Sequence, residues 1–398
     1  MRSSKTISLN CSTTTTRLTN KKRKQPKKTF SDEGLFLWNQ EVKRTIFIKF
    51  NTAQFMKKHF QILVVVVTLI LLSSTIFSCE KANSNGKNKT ATKKAKVDSL
   101  KKAKRMLLDT VDYKKRITVL SNGDTTGKWT VKTVYPLTGA LLPYKRIIAF
   151  YGNLYSKRMG ILGELPKDEM LKKLQEEVAL WKAADTTLET VPALHYIAVT
   201  AQGKNGSGNN YRLRMPFKQI DTVMAWAKEI DALVFLDIQV GHSTVKDEIT
   251  MLTDYLKLPN VHLGIDPEFS MKNGEIPGSK IGTMSSDDIN DAIAFLTTVV
   301  KENNLPPKVL IVHRFTKKMI TDYDKITPTP QVQVVIDMDG FGSKELKRAT
   351  WLRTIYPEPV QFTGFKLFYK NDTEGKNEMY TPQELLQFTP KPIYIQYQ

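Results

Sequence analysis

The amino-acid sequence predicts an α/β protein whose main domain, residues 146–398, is a (β/α)8 TIM-like barrel that lacks the final helix. Eight apolar, strand-like runs alternate with helix-like segments over about 250 residues, the usual size of this fold. Three of the runs end in similar polar motifs, Asp237-Ile238-Gln239, Asp266-Pro267-Glu268 and Asp337-Met338-Asp339. Residues two apart in a strand share a face, so each motif presents two polar groups at the carboxyl end of a strand. Barrel active sites are built from residues in that position.

Each predicted strand is a short run rich in β-branched or aromatic residues. The eight strands are Ile147–Tyr151, Leu194–Thr200, Leu233–Leu236, Val261–Ile265, Val309–His313, Val332–Ile336, Phe365–Tyr369 and Ile393–Tyr397. An open flavodoxin-like sheet is the alternative. Eight strands are many for such a sheet, so the closed barrel is favoured.

The segments between the strands have helical patterns. Ser285-Ser286-Asp287-Asp288 is a typical N-terminal cap, and the prolines that follow Asn303 are a typical stop. The predicted helices are Lys167–Ala183, Lys218–Ile230, Thr244–Leu256, Ser285–Asn303, Thr316–Asp324, Ser343–Ile355 and Thr381–Leu386. The sequence ends on the eighth strand, so no eighth helix is predicted.

Alternation along the strands predicts which side chains face the barrel interior. In the third strand, Phe235, Asp237 and Gln239 face inward, whereas Val234 and Leu236 pack on helices. The same argument turns the acidic residues of the other two motifs inward. Further candidates for substrate binding at the mouth are His313 and Arg314 on strand five, Asp337 and Asp339 on strand six, Lys366 and Tyr369 on strand seven, and Gln396 on strand eight. His195 starts the predicted second strand, so we expect a structural role near the bottom of the barrel.

The positive charge of the chain is concentrated in its N-terminal third. The first 145 residues hold 30 of the 60 Lys and Arg but only 8 of the 39 Asp and Glu, which leaves 30 basic and 31 acidic residues for the barrel. A nucleic-acid partner is therefore disfavoured, because no excess of positive charge is left for the domain. Both cysteines, Cys11 and Cys79, precede the barrel, which excludes a disulfide framework or a cysteine zinc site there.

An apolar run, Gln61–Phe77, follows Lys57-Lys58 and precedes Ser78-Cys79. This order is typical of a secretory signal peptide. Ile76-Phe77-Ser78-Cys79 resembles the lipobox of bacterial lipoproteins, which implies that Cys79 is lipid-modified and anchors the mature chain to a membrane of the cell envelope. An uncleaved transmembrane anchor is the alternative, although the run is at the short limit for spanning.

The other N-terminal segments have distinct compositions. Residues 1–55 precede Met56, the expected start, and are interpreted as an upstream extension from a mis-assigned initiation codon. Residues 80–104 are rich in Lys, Asn, Ser and Thr, which predicts a disordered tether. Residues 105–145 contain the turn signal Ser121-Asn122-Gly123-Asp124, and we expect a small β-hairpin or an extended lead-in.

Several carboxylates that converge on one mouth suit the chemistry of a glycosidase, which needs a proton donor and a second carboxylate. Glu268 is the best donor candidate, and like-charge repulsion from Asp266 is expected to raise its pKa. Asp266-Pro267-Glu268 resembles the Asp-x-Glu of barrel glycoside hydrolases such as the chitinase-like and lysozyme-like families. The resemblance implies that Glu268 is the acid and Asp266 its partner. Aromatic surface for sugar rings is offered by Tyr151, Tyr155, Phe341, Phe368, Tyr369, Tyr394 and Tyr397.

Residues 146–398 are also similar to a family of bacterial secreted or lipoprotein sequences that end in Tyr-Ile-Gln-Tyr-Gln, a resemblance that implies no particular activity. Two further functions remain open. One is a carbohydrate-binding barrel without catalysis. The other is a metal-dependent hydrolase in which the acidic residues and His242 or His313 bind Mg, Mn or Zn. That class often carries His-x-His on strand one, where this chain has Phe150-Tyr151-Gly152. The favoured function therefore assigns no metal and no cofactor, and a polysaccharide or oligosaccharide is the expected partner.

Overall fold

A computed structural model describes residues 108–129, 131 and 133–398 of the chain. The predicted signal peptide, the tether and Cys79 lie outside the described residues. None of the helices in the described ranges is both long and apolar enough to cross a membrane.

Eleven strands are present in the described part of the chain. They are β1 (Lys145–Gly152), β2 (Glu189–Ala201), β3 (Arg212–Arg214), β4 (Leu233–Ile238), β5 (Val261–Ile265), β6 (Met284–Ser285), β7 (Lys308–Arg314), β8 (Ile320–Thr321), β9 (Val332–Met338), β10 (Phe362–Leu367) and β11 (Tyr394–Tyr397). Eight of them form a closed parallel barrel in the order β1-β2-β4-β5-β7-β9-β10-β11, and β11 returns to pair with β1. The predicted (β/α)8 barrel is confirmed, and the open sheet is excluded.

In the described residues, one α-helix precedes β1 and the others lie between the strands. They are α1 (Thr110–Ser121), α2 (Ile161–Glu164), α3 (Lys167–Ala184), α4 (Phe217–Glu229), α5 (Val245–Thr250), α6 (Thr253–Leu256), α7 (Ser286–Glu302), α8 (Lys344–Thr350), which continues as a π-helix (Trp351–Ile355), and α9 (Pro382–Leu385). The predicted cap of α7 is present, because Ser285 and Asp288 bond to each other's backbone in a capping box.

Two apolar layers follow from strand alternation. Val234, Leu236 and Ile238 of β4 belong to the layer between the barrel and its helices, whereas Phe235 belongs to the barrel interior. The inward and outward faces predicted for the third strand are therefore confirmed. The interior is filled by Ile147, Ala149, Ala193, Phe235, Val309, Ile311, Val335, Phe362, Ile393 and Tyr394.

The segment before β1 differs from its prediction as a hairpin or extended lead-in. It contains the helix α1, whose first turn is capped by the Asp109 carboxylate; Oδ1 accepts from the Val111 and Asp112 amides at 3.0 Å each. The predicted turn at Asn122 ends this helix in the left-handed conformation rather than joining two strands. Leu120 and Leu142 from this segment pack against the amino-terminal end of the barrel interior.

The helix predicted for Thr316–Asp324 is wrong. That segment holds two isolated 3-10 turns and the short strand β8, which pairs with β6. The Arg314 guanidinium donates to the carbonyls of Thr316 and Lys317 at 3.3 and 3.0 Å. The same carbonyls accept from the amides of Met319 and Ile320 and so close a 3-10 turn, not the longer-spaced ladder of an α-helix.

Candidate active site

Asp237 lies at the centre of the polar half of the barrel interior. Its Oδ2 accepts a hydrogen bond from the Tyr151 hydroxyl at 3.0 Å, and its Oδ1 lies 3.2 Å from His195 Nε2 and 3.4 Å from His313 Nε2. Burial raises the pKa of Asp237, but the His313 and His195 rings outweigh burial and hold that pKa well below its usual range. Asp237 is therefore an ionised carboxylate with no exposure to solvent.

A glycine makes this close approach feasible. Gly264 of β5 pairs with Asp237 in the barrel register. A Cβ atom at Gly264 would lie 2.3 Å from Asp237 Oδ1 and 2.4 Å from His195 Nε2, so any larger residue would displace one of these side chains. Gly264 thus preserves the space in which the Asp237 carboxylate meets the His195 ring.

The other edge of the His313 ring faces two more carboxylates. His313 Nδ1 lies 3.1 Å from Asp339 Oδ2 and 3.4 Å from Asp337 Oδ2. Burial lowers the pKa of His313, but the neighbouring carboxylates, Asp237 foremost, raise it well above its usual value. The three acids around the buried imidazole therefore favour its protonated form.

Asp337 and Asp339 have different environments although they share a face of β9. Burial raises the pKa of Asp337, and neither of its carboxylate oxygens makes a hydrogen bond within the described residues. Burial also acts on Asp339, but the ammonium of Lys366, 3.0 Å from Asp339 Oδ1, and the His313 ring lower its pKa. Lys366 also lies 3.9 Å from the centre of the Tyr151 ring, in cation–π contact.

Asp266 and Gln239 form the upper wall of the site. Gln239 accepts from the Ala201 amide at 3.1 Å, which orients its Nε2 toward Asp266 Oδ2 at 3.3 Å. Burial raises the pKa of Asp266 well above its usual value, and the neighbouring acids add to the effect. Burial thus favours the protonated form of Asp266.

Glu268 follows on a 3-10 turn, Pro267–Phe269, that Asp266 caps. Asp266 Oδ1 accepts from the Glu268 amide at 3.0 Å, and this bond fixes the direction in which the Glu268 side chain leaves the strand end. Glu268 is half-buried, and burial followed by the charge of Asp339 raises its pKa to about 7, against the opposing effect of Lys366 and His313. Burial and Asp339, and not the Asp266 repulsion expected from the sequence, are the causes of the raised pKa, and Asp266 orients Glu268 through the backbone.

The structure brings most of the predicted site residues together at this end of the barrel. They are Asp237, Gln239, Asp266, Glu268, His313, Asp337, Asp339 and Lys366. Gln396 lies in the same interior and contacts His195 Nδ1 and the Tyr394 hydroxyl at 3.0 and 2.8 Å.

Two predicted substrate-binding residues lie elsewhere. Arg314 points away from the interior and binds the loop carbonyls and Glu358. Tyr369 donates to Glu177 of α3 at 2.7 Å and stacks on Tyr397, which places both tyrosines between the barrel and α3. His242, the alternative histidine for a metal site, also lies apart, with Nε2 2.7 Å from the Glu275 carbonyl oxygen.

His195 is the site residue that the sequence analysis misplaced. β2 begins at Glu189, five residues before the predicted start, so His195 lies midway along the strand and not at its bottom. The early start of β2 was not predicted because it contains Pro192, and a proline in an apolar run argues against a strand. The proline is tolerated here, paired with Ile148 of β1. Strand alternation could have indicated that His195 points inward, because it shares a strand face with Ala193 and Ile197.

Within the described residues, one group of side chains has the composition and spacing of a metal site. Ligand atoms of His195, Asp237 and His313 lie within 4.8 Å of one another, and all three side chains are fully buried. Its members come from β2, β4 and β7.

No protein-family model and no curated protein sequence matches this chain. Solved barrel structures are similar to it at low identity. A Bacillus subtilis mannanase is 10% identical over 64% of this chain and 80% of its own, with a TM-score of 0.31. A sugar phosphate isomerase/epimerase from Parabacteroides distasonis is 9% identical over 67% and 90%, with a TM-score of 0.30. A dihydropteroate synthase from Burkholderia cenocepacia is 10% identical over 66% and 87%, with a TM-score of 0.27. These values describe a likeness of fold and nothing of the reaction.

Proposed function

We propose that the barrel mouth is the active site of a glycoside hydrolase-like enzyme in which Glu268 protonates the leaving oxygen of a glycan. The main support for the proposal is the position and the raised pKa of Glu268. Its carboxyl group is half-buried at the carboxyl end of a barrel strand, and burial and Asp339 raise its pKa to about 7. A carboxylic acid that retains a proton near neutral pH is the general acid that glycoside hydrolysis requires.

The surroundings of Glu268 support that role. General acid catalysis needs the proton donor to be held in one direction, and the hydrogen bond from the Glu268 amide to Asp266 supplies that constraint. The ionised carboxylate of Asp339 lies on the same side of the barrel and acts on the charge of Glu268. Asp339, which is paired with Lys366 and His313, is the candidate for the second carboxylate near an oxocarbenium-like centre.

Exposed aromatic rings on the rim favour a sugar as the substrate. Tyr155, in the loop after β1, is 63% exposed, and Phe341, in the loop after β9, is 59% exposed. Both loops leave the carboxyl ends of barrel strands, so both rings border the mouth. Phe341 is supported by an edge-to-face contact with Phe368 at 5.9 Å between ring centres.

The test is a panel of cell-wall, plant and algal glycans, assayed with the wild type, Glu268→Gln and Glu302→Gln. Glutamine keeps the shape of Glu268 but carries no titrating proton, so we expect turnover to fall by roughly 10²–10⁴-fold. Glu302 is exposed on α7, and its variant should match the wild type. Glycan binding without turnover in all three proteins would instead indicate a carbohydrate-binding barrel. Full activity of Glu268→Gln would refute the assignment of the acid.

We also propose that the enzyme is carried to the cell envelope as a lipoprotein through Cys79. The support is the order of Lys57-Lys58, the apolar run and Ser78-Cys79 in the sequence. Expression from Met56 in a bacterial host, followed by mass measurement and membrane partitioning, tests the proposal. Cys79→Ala should abolish the lipid mass and release the protein from the membrane, and an unchanged Cys79→Ala protein would exclude lipidation.

A further inference from the structure

We propose that His195, Asp237 and His313 bind one divalent transition-metal ion beneath the mouth of the barrel. The site goes beyond the proposed glycan chemistry and does not depend on it. His195 Nε2 and His313 Nε2 lie 3.2 and 3.4 Å from the same oxygen, Asp237 Oδ1. Ligands about 2.0–2.1 Å from one ion lie about 3.0–3.4 Å from each other at octahedral to tetrahedral angles. Both distances thus suit ligands of a single ion, and one ligand atom from each of the three residues lies within 4.8 Å of the others.

The ring atoms that face away from the proposed ion are held as metal-binding histidines usually are. His313 Nδ1 lies 3.1 Å from Asp339 Oδ2, and a carboxylate beside Nδ1 favours a proton there, so that metal binding would release the Nε2 proton and leave Nε2 to the ion. His195 Nδ1 lies 2.6 Å from the Tyr394 hydroxyl. Both histidines therefore have a partner on the far side and present Nε2 toward Asp237.

Gln396 completes the support of His195. Its Oε1 makes no hydrogen bond within the described residues, while its Nε2 lies 3.0 Å from His195 Nδ1 and 2.8 Å from the Tyr394 hydroxyl. Rotating the amide by half a turn would place Oε1 beside His195 Nδ1 and the Tyr394 hydroxyl. The two amide orientations are distinguished by their hydrogen-bond partners. Tyr394 then donates to Gln396 and accepts from His195 Nδ1, which leaves the His195 Nε2 lone pair for the ion.

Unpartnered buried groups at this position point independently to a missing ligand. Both ring nitrogens of His313 and both carboxylate oxygens of Asp337 lack a hydrogen bond of acceptable geometry in the described part of the chain, and both side chains are fully buried. Native interiors leave few buried polar groups without a partner. An ion bound at His313 Nε2 satisfies one of these atoms directly and brings water molecules within reach of the others.

The charge of the interior also favours a cation. Five carboxyl groups, Asp237, Asp266, Glu268, Asp337 and Asp339, converge on a region whose other ionisable groups are His195, His313, Lys366 and the phenols of Tyr151 and Tyr394. A divalent ion offsets part of this excess of acidic groups.

The ligand set selects the class of ion. Two imidazoles and one carboxylate suit Zn²⁺, Mn²⁺, Fe²⁺ and Co²⁺, whereas Ca²⁺ and Mg²⁺ prefer oxygen ligands alone. Three protein ligands leave coordination positions open for water or substrate, as in catalytic and not structural zinc sites. We therefore expect a transition metal and no stable calcium complex.

Metal-free protein, prepared by dialysis against a chelator, is titrated with Co²⁺ and followed by visible absorption and calorimetry. We expect one ion per chain, displaced by Zn²⁺, and at least a 100-fold weaker affinity in His195→Gln and in His313→Gln. The matched control is His242→Gln, because His242 lies outside the cluster and should bind as the wild type does. None of these measurements requires turnover, so failure of the glycosidase proposal would not affect them.

Two results would overturn the metal site. One is a wild-type titration without stoichiometric Co²⁺ binding. The other is wild-type affinity in both cluster variants. If either variant fails to fold, Cu²⁺ is bound to the wild-type protein and pulsed electron paramagnetic resonance counts the coordinated imidazoles. Two imidazoles support the assignment, and one or none refutes it.

Discussion

The two ends of the barrel are built from the same strands but have opposite chemistry. On β4, the inward side chain is Phe235 at one level and Asp237 two residues later; on β7, Val309 and Ile311 are followed by His313. The amino-terminal half is filled by apolar side chains, whereas the carboxyl-terminal half holds acids, histidines and Lys366. Strand alternation therefore selects the inward face, while the level along the strand decides whether that face is apolar or polar.

The amino-terminal end also has buried polar groups, and two of them have several backbone partners. Gln333 bonds to both the amide and the carbonyl of Leu142, at 3.1 and 2.6 Å. Lys308 donates to the carbonyls of Leu258 and Val261, and burial lowers its pKa to about 7. At the mouth, His313 and Asp337 lack such partners among the described residues, and at the other end the His262 Nε2 atom and the Thr190 hydroxyl also lack them. The unsatisfied groups of the mouth differ in lying beside one another, with His313 Nδ1 3.4 Å from Asp337 Oδ2, as expected where a ligand completes a site.

The largest effect on stability should come from the amino-terminal end. Leu142 is fully buried in the interior cluster, and Leu142→Ala should lower the free energy of unfolding by about 2–5 kcal/mol, since it removes apolar contacts and leaves a cavity. Leu137→Ala is the matched control, because Leu137 is 40% exposed in the same segment and should change stability by about 0.5 kcal/mol or less. Urea unfolding measures both. Equal effects would show that Leu142 does not close the barrel.

At the mouth, we expect a substitution of Glu268 to increase the free energy of unfolding, by a smaller amount. Burial raises the pKa of Glu268 to about 7, whereas a glutamate side chain in the unfolded protein has a pKa of roughly 4.3. The unfolded state therefore loses this proton first, and the folded state becomes progressively less stable as the pH rises from about 4 to about 7. Glu268→Gln cannot ionise, so it should match the wild type at pH 4 and be more stable by roughly 1–3 kcal/mol at pH 8.

Urea unfolding of metal-free protein at the two pH values checks this prediction, with the exposed Glu302→Gln as control. A stability difference that is the same at pH 4 and pH 8 would mean that Glu268 ionises normally. Such a result would also remove the main support for Glu268 as the general acid, so the thermodynamic and kinetic roles of this residue are tested together.

The sequence predicts the barrel and the acids of the mouth because both depend on alternation within strands. Asp237, Asp266 and Asp339 lie where a period of two places them. The same rule, applied strictly, would have excluded Arg314 and Tyr369 from the predicted substrate-binding residues. Arg314 follows the inward His313 and must point outward, and Tyr369 is three residues from the inward Lys366, so the two cannot share a face.

Other features of the site depend on contacts between distant segments and have no local signal. His195 reaches the site because β2 begins early, a result of its pairing with β1 through Pro192. The segment after Arg314 forms 3-10 turns in which the Arg314 side chain shares the carbonyls of Thr316 and Lys317. The unusual pKa of Glu268 requires burial and the charge of Asp339, which is 71 positions away in sequence. Such effects are properties of the closed barrel and cannot be found by inspecting one strand at a time.

The smallest effect should appear at the rim of the mouth. Phe341 is 59% exposed and therefore contributes little to folding, but its face is available to a sugar ring. Phe341→Ala should weaken glycan affinity by about 0.5–1.5 kcal/mol, the usual contribution of one aromatic contact, and leave the maximal rate nearly unchanged. Leu180→Ala is the control, since Leu180 is 57% exposed on α3, a helix that contacts the outside of the barrel. Calorimetry measures the glycan affinity of both variants, and equal affinities would contradict a sugar-binding rim. A loss of affinity confined to Phe341→Ala would indicate that the glycan contacts the exposed aromatic rim as well as the buried acids.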